Sequence, residues 1–415
     1  MLIRIARRLM GRFHSPRGQA IILFVGLFTM IAVAAAISID FSLWFSERRG
    51  AQKDADAVAL AGAFELLSQD FANPANNDFP AIQSAAEAAV LDWADRNGLP
   101  PENVHNLTVE NSGCFGPSPV LDSVSVDAEH VSTALFASIF GLAAPQIGAH
   151  ARACVGSIVS ATGLMPVGVQ ISGVDSDCWE DLTGDGIEVP LFGQECVLTF
   201  GAGETTSGEA GNLRLYNDGS LECSGRQTGG NRTYLDEIES GGANTTCHVL
   251  PSWETCDSDP GGCVYPLTGV GSVPEMRAFQ ELLAGEGECD GDVEFGNGDS
   301  YDDFLETVSA ANGDPTPSPD TLFARRACSS PRLVSLIIME QFDEQGNAPA
   351  PIIAFASFFI SGCESGDGTQ YDRRCDISGG QGQVRLNGYF VNLLDVDGQA
   401  GQINVWSPKR IILTE

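Results

Sequence analysis

The sequence predicts an α+β protein in which one apolar N-terminal helix continues into a stalk helix, followed by a small α+β unit and a β-rich, disulfide-stapled region. Three observations predict this arrangement. A run without charged residues extends from Ala20 to Ile39. All twelve cysteines lie beyond that run, between Cys114 and Cys375. Segments with the alternating apolar and polar residues typical of strands occupy much of the C-terminal half.

The Ala20–Ile39 run has the length of a membrane-spanning helix. At about 1.5 Å per residue, it covers about 30 Å, the thickness of the hydrocarbon core of a bilayer. Basic residues mark the cytoplasmic side of such a helix, and five arginines without any acidic residue precede it: Arg4, Arg7, Arg8, Arg12 and Arg17. The sequence therefore predicts a cytoplasmic tail at residues 1–19, a single-pass helix at 20–39 in the cytoplasmic (inner) membrane, and an external C-terminal region.

Two other interpretations of the same stretch remain open. Ala34–Ala36 offers an A-x-A site, so the segment can be a signal peptide that is cleaved. It can also be a prepilin segment cut after Gly18. Prepilin-like segments usually carry a glutamate five residues after that glycine, and Leu23 stands there instead.

A stalk helix is predicted at residues 40–68, and small residues recur along it every four positions. Such a stripe lets a second helix approach closely. It packs either against a partner subunit or against the protein's own external part, and we favour the second alternative. The stripe consists of Ala51, Ala55, Ala59 and Ala63. Asp40 and Asp56 are expected to face water.

This N-terminal stretch also resembles a known family. An Arg-Gly-Gln opening at Arg17–Gln19, an apolar helix ending in Asp40 and the Gln-x-x-Ala-Asp-Ala pattern at Gln52–Ala57 follow one another here as in the TadG-like proteins of Tad/Flp pilus assembly. The resemblance implies a structural or scaffolding role in pilus assembly, with the lipid bilayer and other Tad/Flp subunits as partners. It implies no enzymatic activity.

Residues 69–160 are predicted to form the small α+β unit. A helix at 81–97 places Ala85, Ala89 and Trp93 on one face, and Gly98 ends it. The strands are expected at 104–110, 120–126 and 147–159, with a short helix at 132–140.

Residues 161–415 are predicted to form the β-rich domain. Helices are expected at 273–283 and 301–310 within it. Its closing strands, at 332–340, 352–360, 383–394 and 403–406, have spacing that suits an antiparallel sheet.

The cysteines predict disulfides, because an external compartment is oxidising. Neighbours along the chain are the plausible pairs: Cys178–Cys196, Cys256–Cys263 and Cys363–Cys375. Zinc is the alternative, but no C-x-x-C pair occurs and His248 beside Cys247 has no matching partner spacing.

The net charge of −33 is unevenly distributed. Residues 1–40 carry five arginines and one aspartate, a net charge of +4, so the remaining residues carry −37. A surface this acidic repels nucleic acid, and we exclude nucleic-acid binding.

Motifs for catalysis are missing from the sequence. It contains no G-x-S-x-G elbow, P-loop, H-E-x-x-H or G-x-G-x-x-G motif, so we expect no enzyme and no cofactor. Calcium is the one ligand to consider, because oxygen-rich loops suit a hard cation. The candidate ligands are Asp175, Asp177, Asp181 and Asp185.

A surface adhesin or glycan-binding protein is the alternative function.

Overall fold

The structure is a computed structural model. It describes residues 16–111, 114–141, 143–171, 177–181, 188–200, 210–215, 223, 231–243, 245–267, 272–285, 289, 300–312, 328–341, 348–364, 370–372, 384–393 and 398–414. Helix α1 spans Pro16–Glu65 and is followed by a 3₁₀ turn at Leu66–Ser68. The predicted transmembrane and stalk helices are therefore one continuous helix, about 75 Å long. It is long and apolar enough to cross a membrane.

The other helices are α2 (Phe79–Arg96), α3 (Asn231–Glu239), α4 (Ser272–Leu283) and α5 (Tyr301–Asn312). The strands are β1 (Val104–Glu110), β2 (Ser123–Val131), β3 (Gln146–Ala161), β4 (Leu164–Gln170), β5 (Trp179–Glu180), β6 (Val189–Pro190), β7 (Glu195–Phe200), β8 (Ala210–Arg214), β9 (Cys247–His248), β10 (Cys263–Pro266), β11 (Leu333–Met339), β12 (Ala350–Glu364), β13 (Gln370–Asp372), β14 (Val384–Val391), β15 (Gly398–Gly401) and β16 (Lys409–Thr414).

A small sheet packs against the C-terminal half of α1. Strands β1, β2 and β3 pair antiparallel in that order, and β9, β15 and β16 also pair with β3. The core between helix and sheet contains α1, α2 and the inward residues of the strands, among them Val124, Val126 and Ala153. Since β16 is the last strand of the chain, the small sheet contains both early and late segments. The predicted boundary at residue 160 stays a prediction.

Helix α2 forms where predicted, and the face that it buries is not the one that carries Ala85, Ala89 and Trp93. Its N-terminus is capped by the Asp78 carboxylate, which accepts a hydrogen bond from the Ala81 N–H at 3.2 Å. Gly98 ends it with a φ of +75°, as expected for a C-terminal stop. The buried residues are Ala86, Val90 and Ala94, whereas Trp93 is 46% exposed. Two neighbouring sets of residues in this alanine-rich helix have the same spacing of four. Tight packing against α1 favours the set that lacks the large ring of Trp93.

The larger sheet is mixed rather than purely antiparallel. Pairings run from β12 through β11, β4, β8, β7 and β14 and return to β12, so these strands form a closed circuit. Strand β4 pairs parallel with β11, and β7 pairs parallel with β8. The circuit and helices α3 and α4 share an apolar core that includes Phe200, Phe279 and Phe358.

Two further expectations need correction, and one helix was missed. The predicted strand at 403–406 does not form, and the last strand is Lys409–Thr414 instead. Within the predicted helix at 132–140, only a 3₁₀ helix at Ala137–Phe140 forms, ended by Gly141 at φ +73°. Helix α3 was not predicted, because its nine residues are mostly polar and too few to show a clear period.

Five disulfides have both cysteines within the described residues. Both predicted neighbour pairs within it, Cys178–Cys196 and Cys256–Cys263, are bonded. Sequence spacing did not predict the three others, which are Cys114–Cys154, Cys223–Cys247 and Cys289–Cys328. Cys363 is disulfide-bonded, and Cys375 lies outside the described residues.

Candidate functional site

The junction between α1 and the loop that joins β2 to β3 (residues 132–145, the β2–β3 loop) is organised by Asp40. Its carboxylate is only 3% exposed. It accepts hydrogen bonds from the backbone N–H groups of Leu135 (3.1 Å), Phe136 (3.1 and 3.2 Å) and Ala137 (2.6 Å). These donors precede and begin the 3₁₀ helix, where N–H groups have no partner within the helix. Asp40 therefore caps an element 95 residues further along the chain.

Two more α1 side chains hold the same loop. The Trp44 indole N–H donates to the Thr133 carbonyl at 3.2 Å. The Glu47 carboxylate accepts from both the Thr133 backbone N–H (3.2 Å) and its hydroxyl (2.9 Å). Asp40, Trp44 and Glu47 lie at positions i, i+4 and i+7, so they share one face of α1. The expectation that Asp40 faces water is wrong: burial without these donors would be costly, and the loop supplies them.

Further along the same face, the alanine stripe packs into the small sheet. All four alanines are fully buried in the protein's own core: Ala51, Ala55, Ala59 and Ala63. Gly62 is in tighter contact still, because a Cβ there would lie 2.7 Å from Val90 Cγ2 and 3.0 Å from Val124 Cγ1. The structure thus shows internal packing, and we do not carry these alanines forward as partner-packing residues.

Polar side chains clamp the edges of this contact. His130 Nε2 lies 3.0 Å from the Asp54 carboxylate. Gln52 donates to the His150 carbonyl at 3.0 Å and to Asp56 at 2.7 Å. Asp56 is half-buried beside Gln52. Together with the junction, these contacts tie α1 to β2 and β3 over about five helical turns. The arrangement couples the helix mechanically to the small sheet.

Comparison with protein families identifies this same helix. Residues 18–65 match the Tad family model, "Putative Flp pilus-assembly TadE/G-like". The matched region ends at Glu65, the last residue of α1, so the family signal and the long helix coincide. It agrees with the resemblance that Arg17–Gln19, Asp40 and Gln52–Ala57 predicted. No curated protein and no solved structure matches the chain.

The calcium candidates are divided between described and undescribed parts of the chain. Asp177 and Asp181 are described, whereas Asp175 and Asp185 lie outside the described residues. Within the described ranges, no group of three or more His, Cys, Asp or Glu side chains could hold a metal ion. Calcium binding at this loop stays a prediction.

Sequence reasoning missed a polar chain on the outer face of the small sheet. His150 Nδ1 lies 2.6 Å from the Asp127 carboxylate, and His150 Nε2 lies 3.4 Å from Ser125 Oγ. Asn106 donates to the other Asp127 oxygen at 2.7 Å from a left-handed backbone (φ +49°). The hydrogen bond from Asn106, together with His150, lowers the pKa of Asp127. The only available signal was alternation, which placed Ser125 and Asp127 on one face of a strand.

A serine, a histidine and an aspartate linked in this order by hydrogen bonds also occur in the active sites of hydrolases. Here the three linked side chains lie on an open sheet face. His150 and Asp127 are directly opposed in β3 and β2, and Ser125 follows two residues away on the same face. Cross-strand pairs of this kind stabilise a sheet. We therefore assign it a structural role in joining β1, β2 and β3.

Proposed function

We propose that this chain is a single-pass protein of the cytoplasmic membrane that acts as a structural component of Tad/Flp pilus assembly. One observation carries the proposal: the family match covers α1, whose first half is apolar and exposed and whose second half forms part of the external core. A match confined to the lipid-facing half would suggest an anchor alone. Here the matched segment also determines how the external region is held.

The orientation follows from charge. The five arginines before residue 18 favour a cytoplasmic N-terminus. The acidic remainder and its disulfides suit an oxidising external compartment. In this orientation the small sheet lies close to the external membrane surface, and the larger sheet extends beyond it.

The proposed role is mechanical and assigns no reaction to the chain. The helix sets the orientation of the protein relative to the membrane. The hydrogen bonds of Asp40, Trp44 and Glu47 to the β2–β3 loop fix the small sheet relative to the helix. The acidic external region then contacts other pilus subunits. The absence of nucleophile and nucleotide-binding motifs from the sequence supports a non-catalytic role.

Gene deletion tests the proposal. Cells lacking the protein should have no pili, while the amount of pilin on immunoblots stays normal. Complementation with the full chain should restore pili. A version in which residues 1–39 are replaced by a cleavable export signal should not restore them, although its disulfides form. Normal piliation in the deletion strain would contradict the proposal.

A surface adhesin is the second candidate, favoured by the β-rich, disulfide-bonded distal part. An isolated 161–415 fragment is unsuitable for testing it, because removing β3 would leave β15 and β16 without their pairing strand. The full chain in nanodiscs should be presented to glycan and matrix arrays. Saturable binding, together with normal piliation in the deletion strain, would favour the adhesin.

A further inference from the structure

The stretch from residue 131 to residue 149 contains no charged residue, although the external region as a whole is strongly acidic. It is bounded by His130 and His150 and comprises the end of β2, the β2–β3 loop and the start of β3. Surface loops of an acidic protein normally carry charge to stay hydrated. The long uncharged stretch at residues 131–149 therefore indicates surroundings other than water.

The structure places this stretch beside the apolar part of α1. Phe136 and Ala137 line an apolar groove of about 400 Å³ together with Val33, Ala36 and Ile37. Those three α1 residues belong to the predicted span at 20–39. Phe136 and Ala137 of the β2–β3 loop therefore lie level with the last two turns of the span rather than above it.

Large apolar side chains point away from the protein here. Leu135 is 55% exposed and Ile139 is 74% exposed. On α1, Phe41 is exposed beside the same groove that Phe136 and Ala137 line. Because these residues continue the exposed apolar surface of Ile21–Ile39, they extend a lipid-facing surface rather than form a separate patch.

Backbone groups at the start of the loop have partners, which insertion into lipid requires. In the hydrocarbon region an unsatisfied N–H or C=O group is expensive. Asp40 accepts the N–H groups of residues 135–137, Glu47 accepts that of Thr133, and Trp44 donates to the Thr133 carbonyl. The Ser132 hydroxyl donates to the Pro145 carbonyl. The side chains that fix the loop thus also allow it to leave water.

We propose that Leu135 and Ile139 insert into the external leaflet of the bilayer, as a second membrane contact beside α1. This contact fixes the tilt and rotation of the exodomain (residues 69–415) relative to the membrane. A single helix allows the exodomain to tilt and rotate, whereas two attachment points restrict both motions. The inference rests on the membrane anchoring in the proposed function. The occupant is lipid rather than protein, since residues 131–149 carry no charged side chain to select a protein partner and Leu135 and Ile139 lie beside the apolar half of α1.

Photocrosslinking of the full chain in cell membranes tests the inference. A benzophenone amino acid is placed singly at Ile139, at Leu27 in the middle of the span, and at Leu91 on the exposed side of α2. All three positions are exposed, so the fold is retained. Mass spectrometry of the adducts distinguishes lipid from protein. Because a large aliphatic side chain favours an apolar phase by about tenfold or more, we expect about tenfold more lipid adduct at 139 than at 91.

The three positions separate the possible failures. Lipid adducts at 27 and 139 but not at 91 support the inference. Lipid at 27 with none at 139 overturns the inserted loop and leaves the anchor intact. A protein adduct at 139 overturns it in favour of a subunit contact. Lipid at neither 27 nor 139 overturns the anchor itself, and the inserted loop with it.

Discussion

The two halves of α1 share one continuous backbone but lie in different surroundings. From Ile21 to Ile39 the large side chains are exposed all around the helix. From Asp40 to Glu65 one face is buried in the core of the small sheet. The first half is built from large aliphatic and aromatic residues, and the second half buries alanine and glycine.

This difference shows that hydropathy and residue size carry separate information. Hydropathy identifies the half that suits lipid. Small residues mark where another part of the protein comes within van der Waals distance, because only they leave room for the helix α2 and strand β2. One helix is thus apolar enough to cross a membrane at one end and is a core element at the other.

Two glycines of α1 give the sharpest test of this contrast. Gly62 is packed against Val90 and Val124, whereas a Cβ at Gly26 would meet nothing within 4 Å. Replacing either by leucine improves helix propensity equally. We expect Gly62→Leu to destabilise the exodomain by about 3 kcal/mol through overpacking. Gly26→Leu should change its stability by less than about 0.5 kcal/mol.

Thermal unfolding of the purified protein in nanodiscs, followed by near-ultraviolet circular dichroism, measures both changes. Equal melting temperatures for the two variants would mean that the second half of α1 does not pack on the small sheet. Loss of the Gly26→Leu variant from the membrane fraction would show that the first half also has a tight protein contact.

Much of the fold was predictable because it depends on local pattern. The length of α1, the strands predicted at 104–110 and 147–159 and the helices predicted at 81–97 and 301–310 all follow from periodicity and from glycine and proline stops. Which alanine stripe of α2 is buried was not predictable, because it depends on the shape of α1. The pairing of β16 with β3 joins segments more than two hundred residues apart, and no local signal marks it.

The junction was only half predictable. Asp40 was recognised as the end of the apolar helix, but its burial depends on the backbone N–H groups of residues 135–137, which sequence spacing does not place nearby. The same is true of His150 and Asp127, which are brought together by strand register. In both cases the functional geometry is set by long-range contacts.

A second buried charge provides a contrast with Asp40. Lys409 is buried, and its ammonium group donates to the Ser407 carbonyl at 2.6 Å and lies 4.8 Å from the centre of the Phe71 ring. Burial lowers the pKa of Lys409 to about 7. Between pH 7 and the ordinary value of 10.5, the unfolded chain binds more protons than the folded one. The contribution of Lys409 to stability therefore rises with pH in that window.

We expect Lys409→Met to stabilise the protein by about 2 kcal/mol below pH 7, because it removes a buried ion that has no carboxylate partner among the residues that the structure describes. The gain should shrink toward pH 10. Glu275 acts in a separate pH window, because burial raises its pKa to about 7. Its contribution to the stability of the fold falls as the pH rises from 4.5 to 7. Glu275→Gln should therefore alter the pH profile below pH 7 and leave the Lys409 window unchanged. A constant difference between Lys409→Met and the natural protein at every pH would show that Lys409 is not a buried ion.

The junction itself gives the smallest and most local effect. Asp40→Asn keeps the shape of the side chain but exchanges one acceptor oxygen for an amide donor that faces the loop's N–H groups. We expect the amides of residues 135–137 to exchange about tenfold faster with deuterated water, the loss of roughly one hydrogen bond. Asp56→Asn is the matched control in the same helix, since Asp56 accepts from the Gln52 side chain. Hydrogen-exchange mass spectrometry in nanodiscs compares the two. If both variants protect residues 135–137 equally, the loop is held by Trp44, Glu47 and the bilayer, and Asp40 marks the end of the lipid-facing half without fastening the sheet to it.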